Sequence, residues 1–513
     1  MNSMACVRWR AAVSLTGSVV KWLTVPMLVP VVLALYYGRG LLPFLVAVPV
    51  AFLLGFGLER LHDDPGDALG PREGFLMVAL TWLLVSLVGA VPYLVEGWLT
   101  TYGASSTLAL PVNAVFESMS GFTTTGSTVM GTISFESHSR AVMMWRQETQ
   151  WLGGMGIVVL AIAILPELSV GGAQLMDAEA PGPGIEKLTP RIAETARALW
   201  GLYVGLTLLE MVGLYAFHLV GWAPEMTLYN AVAHGFTTMP TGGFSPEARS
   251  IEAFSAVVQW FVVPFMVAAG TNFALFWHLY HRDFEMVRTD VEFRSYVGVI
   301  GVLAALTAGL LFTAPGLEGL TGIVEPSLRH ATFQLVSIVT TTGYASMDFN
   351  LWGQQAKYVL LFAMFVGGSA GSTGGSIKVI RWVVIAKSVR RELFTTVHPE
   401  AVEPVRLGDF VVDEQAIRGV YSFTLVYLFI FAFATLVVVV VGVPGQELTA
   451  FEATSAVAAT LGNVGPGIGI VGPMNNFEGF PRVSKLLMVF LMWVGRLEIF
   501  PVLVLLTRSY WER

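Results

Sequence analysis

The sequence predicts an all-α polytopic membrane protein in which four copies of one re-entrant unit surround a common centre, behind a two-helix N-terminal extension. Three observations predict it. The composition is too apolar for a soluble chain: 55% of the 513 residues are hydrophobic and 13% are charged, where globular domains carry about 25% charged residues. Apolar stretches of spanning length recur from one end to the other. Between them a short Thr/Gly-rich run returns four times.

The spans come first. Stretches approaching or exceeding the ~20 residues that cross a bilayer as a helix fall at 20–37, 41–59, 74–98, 141–165, 196–221, 252–281, 295–314, 353–388, 417–443 and 483–508. Arg8, Arg10 and Lys21 give the first the charged start of a signal peptide. No small-residue cleavage site follows and a second apolar run comes at once, so it reads as a retained helix. The single cysteine, Cys6, forms no intrachain disulfide. The stretch 353–388 is longer than a crossing needs and is interrupted by GGSAGSTGGS (367–376).

Shorter segments of small residues lie between spans: PVNAVFESMS (111–120), LYNAVAHGFTTM (228–239), RHATFQLVSIV (329–339) and AFEATSAVAAT (450–460). Each is too short to cross and each runs into a loop: GFTTTGSTVM (121–130), GFTTMPTGGFS (235–245), TTTGYAS (340–346) and LGNVGPGIG (461–469). A short helix and an irregular loop between two spans form a re-entrant unit. Such backbone is tolerated at membrane depth only where protein shields it or it lines a watery cavity. This order divides the chain into an N-terminal transmembrane hairpin (1–72) and four repeats, 73–170, 171–290, 291–400 and 401–513. With the N-terminus inside, most of the 29 Lys and Arg residues fall on the inner side, as the positive-inside rule requires. The loops then enter from outside, where acidic residues such as Glu117, Glu247 and Glu325 outnumber basic ones and concentrate cations.

A single Thr/Gly loop is an ordinary turn. Four at matched positions are different, because glycine at φ > 0 lets successive carbonyls turn toward one axis. A ring of carbonyls replaces the hydration shell of a monovalent cation, and the C-terminal ends of the short helices add negative potential. The carboxylate clusters that a divalent ion favours are missing from the loops. No HExxH or GxxxxGK[ST] motif occurs, the histidines make no ligand constellation beyond a loose His278/His281 pair, and no cofactor or nucleic-acid partner is called for. The chain does not read as an enzyme.

Two further features remain. Five glycines, three serines and a threonine in GGSAGSTGGS leave a helix poorly held, which favours a break over a glycine-rich packing surface. Arg496 lies inside the last apolar stretch, where a buried arginine needs a reason. On the residues alone it forms an ion pair, with Glu498 or with the carbonyls of the broken helix, that serves assembly. Lys378 reads as an interfacial anchor.

NVGPG (463–467), GSAGSTGGSIK (368–378), GRLEIF (495–500) and KLTPRIAETA (187–196) resemble the TrkH/KtrB superfamily of potassium-translocating proteins, in its TrkH branch, over essentially the whole chain. The resemblance implies a pseudo-fourfold pore with K+ as the transported ion. It places a potassium-binding filter at Thr124, Thr125 and Gly126; Thr241, Gly242 and Gly243; Thr341, Thr342 and Gly343; and Asn463, Val464 and Gly465. It implies a gate loop carrying Gly367, Gly368, Gly371, Gly374 and Gly375, with Arg496 as an electrostatic barrier below the filter. The second glycine of the tetrameric channels' TVGYG loop is replaced by Thr128, Ser245 and Ala345 and kept only at Gly467.

The resemblance further implies a homodimer in the bacterial inner membrane, with both termini cytoplasmic. A cytosolic nucleotide-binding ring, TrkA, is its implied regulatory partner. The chain itself has no Rossmann-like βαβ pattern with GxGxxG. RTDVEFR (288–294) and IKVIRWVVIAKSVRRE (377–392) are candidate docking surfaces, or else ordinary topology determinants. The competing reading within transport is an ion-coupled symporter in which the broken helix carries a moving substrate site.

Overall fold

The computed structural model describes residues 7–61, 70–101, 106–163, 192–408 and 410–512. Cys6, the first five residues of KLTPRIAETA and the expected boundary at 170/171 lie outside the described residues.

The N-terminal extension comprises α1 (Trp9–Trp22), α2 (Leu28–Tyr37) and α3 (Leu41–Glu59). Helices α1 and α3 cross where Gly17 meets Gly55: a Cβ on Gly17 would lie 2.7 Å from the Gly55 carbonyl oxygen, the close backbone approach that small residues permit. Lys21 pairs with Glu59 beside the crossing. The expected span 20–37 is broken instead, because Pro26 has no N–H for the helix ladder and disfavours helical geometry in the residue before it.

Four units follow. The first holds α4 (Pro71–Gly89), α5 (Val91–Leu99), the short α6 (Pro111–Phe122) and α7 (Arg140–Ala163); α4 and α5 together make one apolar run, Arg72–Leu99. The second holds α8 (Ile192–Val220), the short α9 (Leu228–Thr238), α10 (Ala256–Ala269), α11 (Phe273–Tyr280) and α12 (Phe284–Thr289). The third holds α13 (Val291–Thr313), the short α14 (Val324–Val339), α15 (Gln354–Ala363) and α16 (Val379–Val397), followed by a small hairpin of β1 (Arg406–Leu407) and β2 (Phe410–Val411). The fourth holds α17 (Glu414–Val441), the short α18 (Ala450–Leu461), α19 (Arg482–Arg496), α20 (Phe500–Leu505) and α21 (Arg508–Trp511).

The short helices start on local signals. Pro111 opens α6 in its first turn, where its missing N–H costs nothing. The Thr227 side chain accepts from Asn230 N at 3.3 Å to cap α9, and Thr449 and Glu452 form a capping box on α18.

Among the described residues five helices are long and apolar enough to cross a membrane, and a sixth if one bent pair counts as a single span. The ten expected spans are therefore not ten straight helices. The stretch 252–281 bends by 99° between α10 and α11. Its cause is not Pro264, which lies inside α10, but the loop 367–376, which takes over the hydrogen bonds the helix gives up. Ser369 N donates to Gly270 O at 2.8 Å, Thr373 Oγ1 to Ala269 O at 3.0 Å, and Phe273 N to Gly371 O at 3.2 Å. The stretch 353–388 is interrupted as expected, and 483–508 breaks after Arg496, where Glu498 and Ile499 adopt positive φ.

Candidate functional site

The four Thr/Gly loops repeat one backbone conformation. Thr124, Thr241, Thr341 and Asn463 are left-handed, with φ of 50°, 56°, 59° and 52°. Two residues on, Gly126, Gly243, Gly343 and Gly465 are left-handed as well. The residues between them are not, so handedness alternates and successive carbonyls can face one side. Left-handed threonine is a genuine outlier, and three of them at equivalent positions store strain of the kind found at functional sites, about 1–3 kcal/mol each.

The turn bonds repeat too. Thr125, Gly242, Thr342 and Val464 each donate a backbone N–H to the carbonyl five residues back, at 2.8, 2.9, 2.8 and 2.8 Å. The second loop is thus in the expected register at Thr241-Gly242-Gly243.

The loops close a ring. A Cβ added to Gly126 would lie 2.2 Å from Gly242 O; to Gly243, 1.9 Å from Thr342 O; to Gly343, 2.2 Å from Val464 O; and to Gly465, 2.8 Å from Thr125 O. Each glycine abuts the middle carbonyl of the next unit, and the fourth returns to the first. Only glycine fits at these four contacts, and the twelve predicted residues are brought together around one axis.

Each short helix holds the outer limb of its own loop by a side chain, a role the sequence reading assigns to none of them; Glu117, expected among the acidic residues of the outer mouth, is fully buried. In the first unit Thr128 Oγ1 and Val129 N donate to Glu117, at 2.8 and 2.9 Å. In the second His234 Nε2 meets Ser245 Oγ at 3.0 Å. In the third Gln334 Nε2 donates to Tyr344 O at 2.9 Å, and in the fourth Ile468 N donates to Ser455 Oγ at 2.9 Å. From α7, Gln150 Nε2 donates to Gly242 O at 2.7 Å and Gln150 Oε1 accepts from Phe244 N at 3.0 Å, clamping the second loop. Asn463 Nδ2 donates to Thr125 Oγ1 at 2.9 Å and so ties the fourth loop to the first.

Arg146 of α7 pins the first unit to the second. It donates to Glu117 Oε1 at 2.7 Å and to Ser245 O at 3.1 Å, and stacks 3.5 Å from the centre of the Phe244 ring. Both charged partners are almost fully buried. Arg146→Met is expected to cost about 3–5 kcal/mol of stability by leaving the Glu117 charge uncompensated, read as a lower thermal midpoint in detergent. Adding Glu117→Gln should restore part of the loss; a midpoint unchanged by Arg146→Met would show that the pair does not hold the units together.

Two buried oxygens in the ring have no hydrogen-bond partner: Thr124 Oγ1 and Asn463 Oδ1. They occupy equivalent positions, the first residue of the loop. Buried polar oxygens are rarely left unmatched, and a cation on the axis would supply what they lack.

The loop 367–376 lies against the bases of these loops. Gly375 N donates to Thr341 Oγ1 at 2.7 Å, and Thr373 Oγ1 to Met239 O at 3.1 Å. A Cβ on Gly375 would lie 2.4 Å from Gly462 O. Arg496, almost fully buried, donates to Thr373 O of this loop at 2.7 Å and reaches Gly153 O of α7 at 3.4 Å. The expected glycines and Arg496 therefore meet beneath the ring.

Of the two partners considered for Arg496, the broken helix's carbonyl is the one found. Glu498 pairs with Arg381 at 2.5 Å instead. Lys378 is not an interfacial anchor: it is buried and donates to Gly374 O, because the broken helix leaves that carbonyl without a helical partner. His278 and His281 stay apart from the site, His278 with Asp283 and His281 with the Trp277 carbonyl.

Fold and site together define a class: helical polytopic membrane proteins whose four re-entrant loops close on a single axis. A family model described as cation transport protein, TrkH, matches residues 44–512, and the chain belongs to that family. It is 36% identical to the Trk system potassium uptake protein TrkH of Escherichia coli strain K12, over 99% of this chain and 100% of that one. It is 32% identical to the potassium uptake protein TrkG of the same organism, over 98% of this chain and 99% of that one. The crystal structure of the potassium transporter TrkH from Vibrio parahaemolyticus superposes with a TM-score of 0.85 at 33% identity, covering 98% of this chain and all of that one. These relatives are named as transporters, not enzymes.

Proposed function

We propose that this chain is the potassium-translocating, channel-like membrane subunit of a Trk-type uptake system. The observation that carries the reading is the closed ring of glycines and middle carbonyls, with the unmatched Thr124 and Asn463 oxygens at its base. In this reading K+ sheds its water onto carbonyls of the four filter triplets. It then meets the loop 367–376 and the Arg496 charge, which together form the gate. The names of the relatives supply the ion.

The same reading divides the chain into the hairpin and four repeats set out above, embedded in the inner membrane with both termini cytoplasmic. Dimerisation and a nucleotide-binding ring subunit complete the proposal. The basic helix α16, with Lys387, Arg390 and Arg391, is its proposed docking face; Arg391 there also pairs with Glu414.

The test is flux. Purified protein in liposomes is expected to pass K+ down an imposed gradient in either direction, in preference to Na+, with no coupling ion. A requirement for a proton or sodium gradient would replace the channel by the symporter. Loss of K+ preference with retained flux would remove the filter from the reading.

A further inference from the structure

Glu292 lies in RTDVEFR (288–294), a candidate docking surface by its charges, yet its side chain is almost fully buried and faces no partner. It stands in the first turn of α13, where an acidic residue ordinarily serves the helix dipole. That end of the helix is already served, because Asp290 caps it by accepting from Phe293 N at 2.5 Å.

Glu292 turns to the loop 367–376 instead. Its Oε1 accepts from Ala370 N at 2.6 Å, the short separation of a charge-assisted bond. Ala370 is itself buried, and a buried backbone N–H must find an acceptor. On either side the loop is bound to the broken span of the second unit. Ser369 N donates to Gly270 O at 2.8 Å, and Gly371 O accepts from Phe273 N at 3.2 Å. At Ala370 the first spanning helix of the third unit takes hold as well.

The methyl of Ala370 is also engaged. It joins an apolar cluster with Ile380 and Val384 of α16 and with Val405, Leu407 and Val412, in and beside the small β-hairpin. Val291, next to Glu292, packs against the same cluster. The hairpin turn passes it: a Cβ on Gly408 would lie 3.9 Å from Val291 Cγ2. One loop residue is thus gripped by its N–H and by its side chain, apart from the bonds of Thr373 and Gly375 beneath the ring.

A loop obstructs a pathway only in proportion to the time it spends there. A bond made in the obstructing position and lost in a displaced one biases the loop toward closure. We propose that Glu292 is a positioning residue for the gate: by accepting from Ala370 N it holds the loop 367–376 in the obstructing position. This rests on the gate reading above.

The experiment measures passive K+ and Na+ flux in liposomes for the wild type, Glu292→Ala, Glu292→Gln and Glu292→Asp, beside Arg496→Ala. Alanine removes the acceptor and is expected to raise K+ flux about fivefold, the size of one net hydrogen bond. The K+/Na+ ratio should not move, since the four filter loops keep their own bonds. Glutamine keeps an acceptor oxygen at the same reach and should stay closer to the wild type. Aspartate keeps the charge but is one methylene shorter, so it should behave like alanine.

The opposite pattern, aspartate like the wild type and glutamine like alanine, would make Glu292 a helix-end charge and overturn the inference. Flux unchanged or lowered in Glu292→Ala overturns it too, as does a K+/Na+ ratio that falls while flux rises. If Glu292→Ala does not fold, the glutamine and aspartate variants decide the matter. Should Arg496→Ala raise flux while the Glu292 series does not, this inference alone fails. Should neither do so, the gate reading falls and takes the inference with it.

Discussion

Serine in place of Gly343 is expected to bring the K+/Na+ flux ratio down by at least about tenfold, the equivalent of ~1.4 kcal/mol, and to lower K+ flux with it. Two effects combine. Gly343 sits at φ +81°, a region that costs an L-residue about 1–2 kcal/mol. Its Cβ would also lie 2.2 Å from Val464 O and 2.9 Å from Pro466 Cδ. Neither neighbour is a flexible tip, so the Val464 carbonyl has to retreat by roughly 1 Å to restore ordinary contact. In the proposed filter that carbonyl is one of the four middle carbonyls of the ring, and a cation bound to it would lose a ligand.

Gly301, on α13, provides the control. Nothing lies within 4 Å of its added Cβ, and its φ is ordinary, so Gly301→Ser should behave as the wild type. The ring also predicts an order. Gly243→Ala, with 1.9 Å to Thr342 O, should be harsher than Gly465→Ala, with 2.8 Å to Thr125 O. A tolerant Gly343→Ser, or the reverse order for the other two, would mean that these glycines do not line the ion path.

Much of this site is legible in the sequence because its signals are local. Each Thr/Gly loop carries its own turn chemistry, and each follows a short helix that cannot cross. In the second loop the triplet Thr241-Gly242-Gly243 takes the same turn, with Gly242 N bonded to Thr237 O. Hydropathy served less well for span shape. It sees apolar side chains but not the helix ladder, so 252–281 reads as one span although Ala269 and Gly270 give their carbonyls to another loop.

The same limit explains Lys378. A lysine at the end of a glycine run resembles an anchor until the fold supplies the Gly374 carbonyl beside it. Arg146, Glu117 and Phe244 lie on three elements, and no spacing rule joins them.

Alanine in place of Arg496 is expected to raise K+ flux about thirtyfold. Two unit charges about 8 Å apart repel by ~2 kcal/mol at an effective dielectric of ~20, and a barrier of that size converts to this factor at ~1.4 kcal/mol per decade. The structure offers a second cause for the same rise, because Arg496 also donates to Thr373 O and so ties down the loop 367–376. Two further variants separate them. Arg496→Gln keeps a donor and removes the charge, while Arg496→Lys keeps the charge with a single point of contact.

If repulsion dominates, Arg496→Gln conducts like Arg496→Ala and Arg496→Lys stays low. If the tether dominates, Arg496→Gln stays low and Arg496→Ala alone opens. The burial of Arg496 favours repulsion as the larger share, since among the described residues no carboxylate forms a salt bridge with it and Glu498 is committed to Arg381. Flux unchanged in all three would remove Arg496 from the gate and leave the loop, with Thr373 and Gly375 bonded to Met239 O and Thr341 Oγ1, as its only barrier.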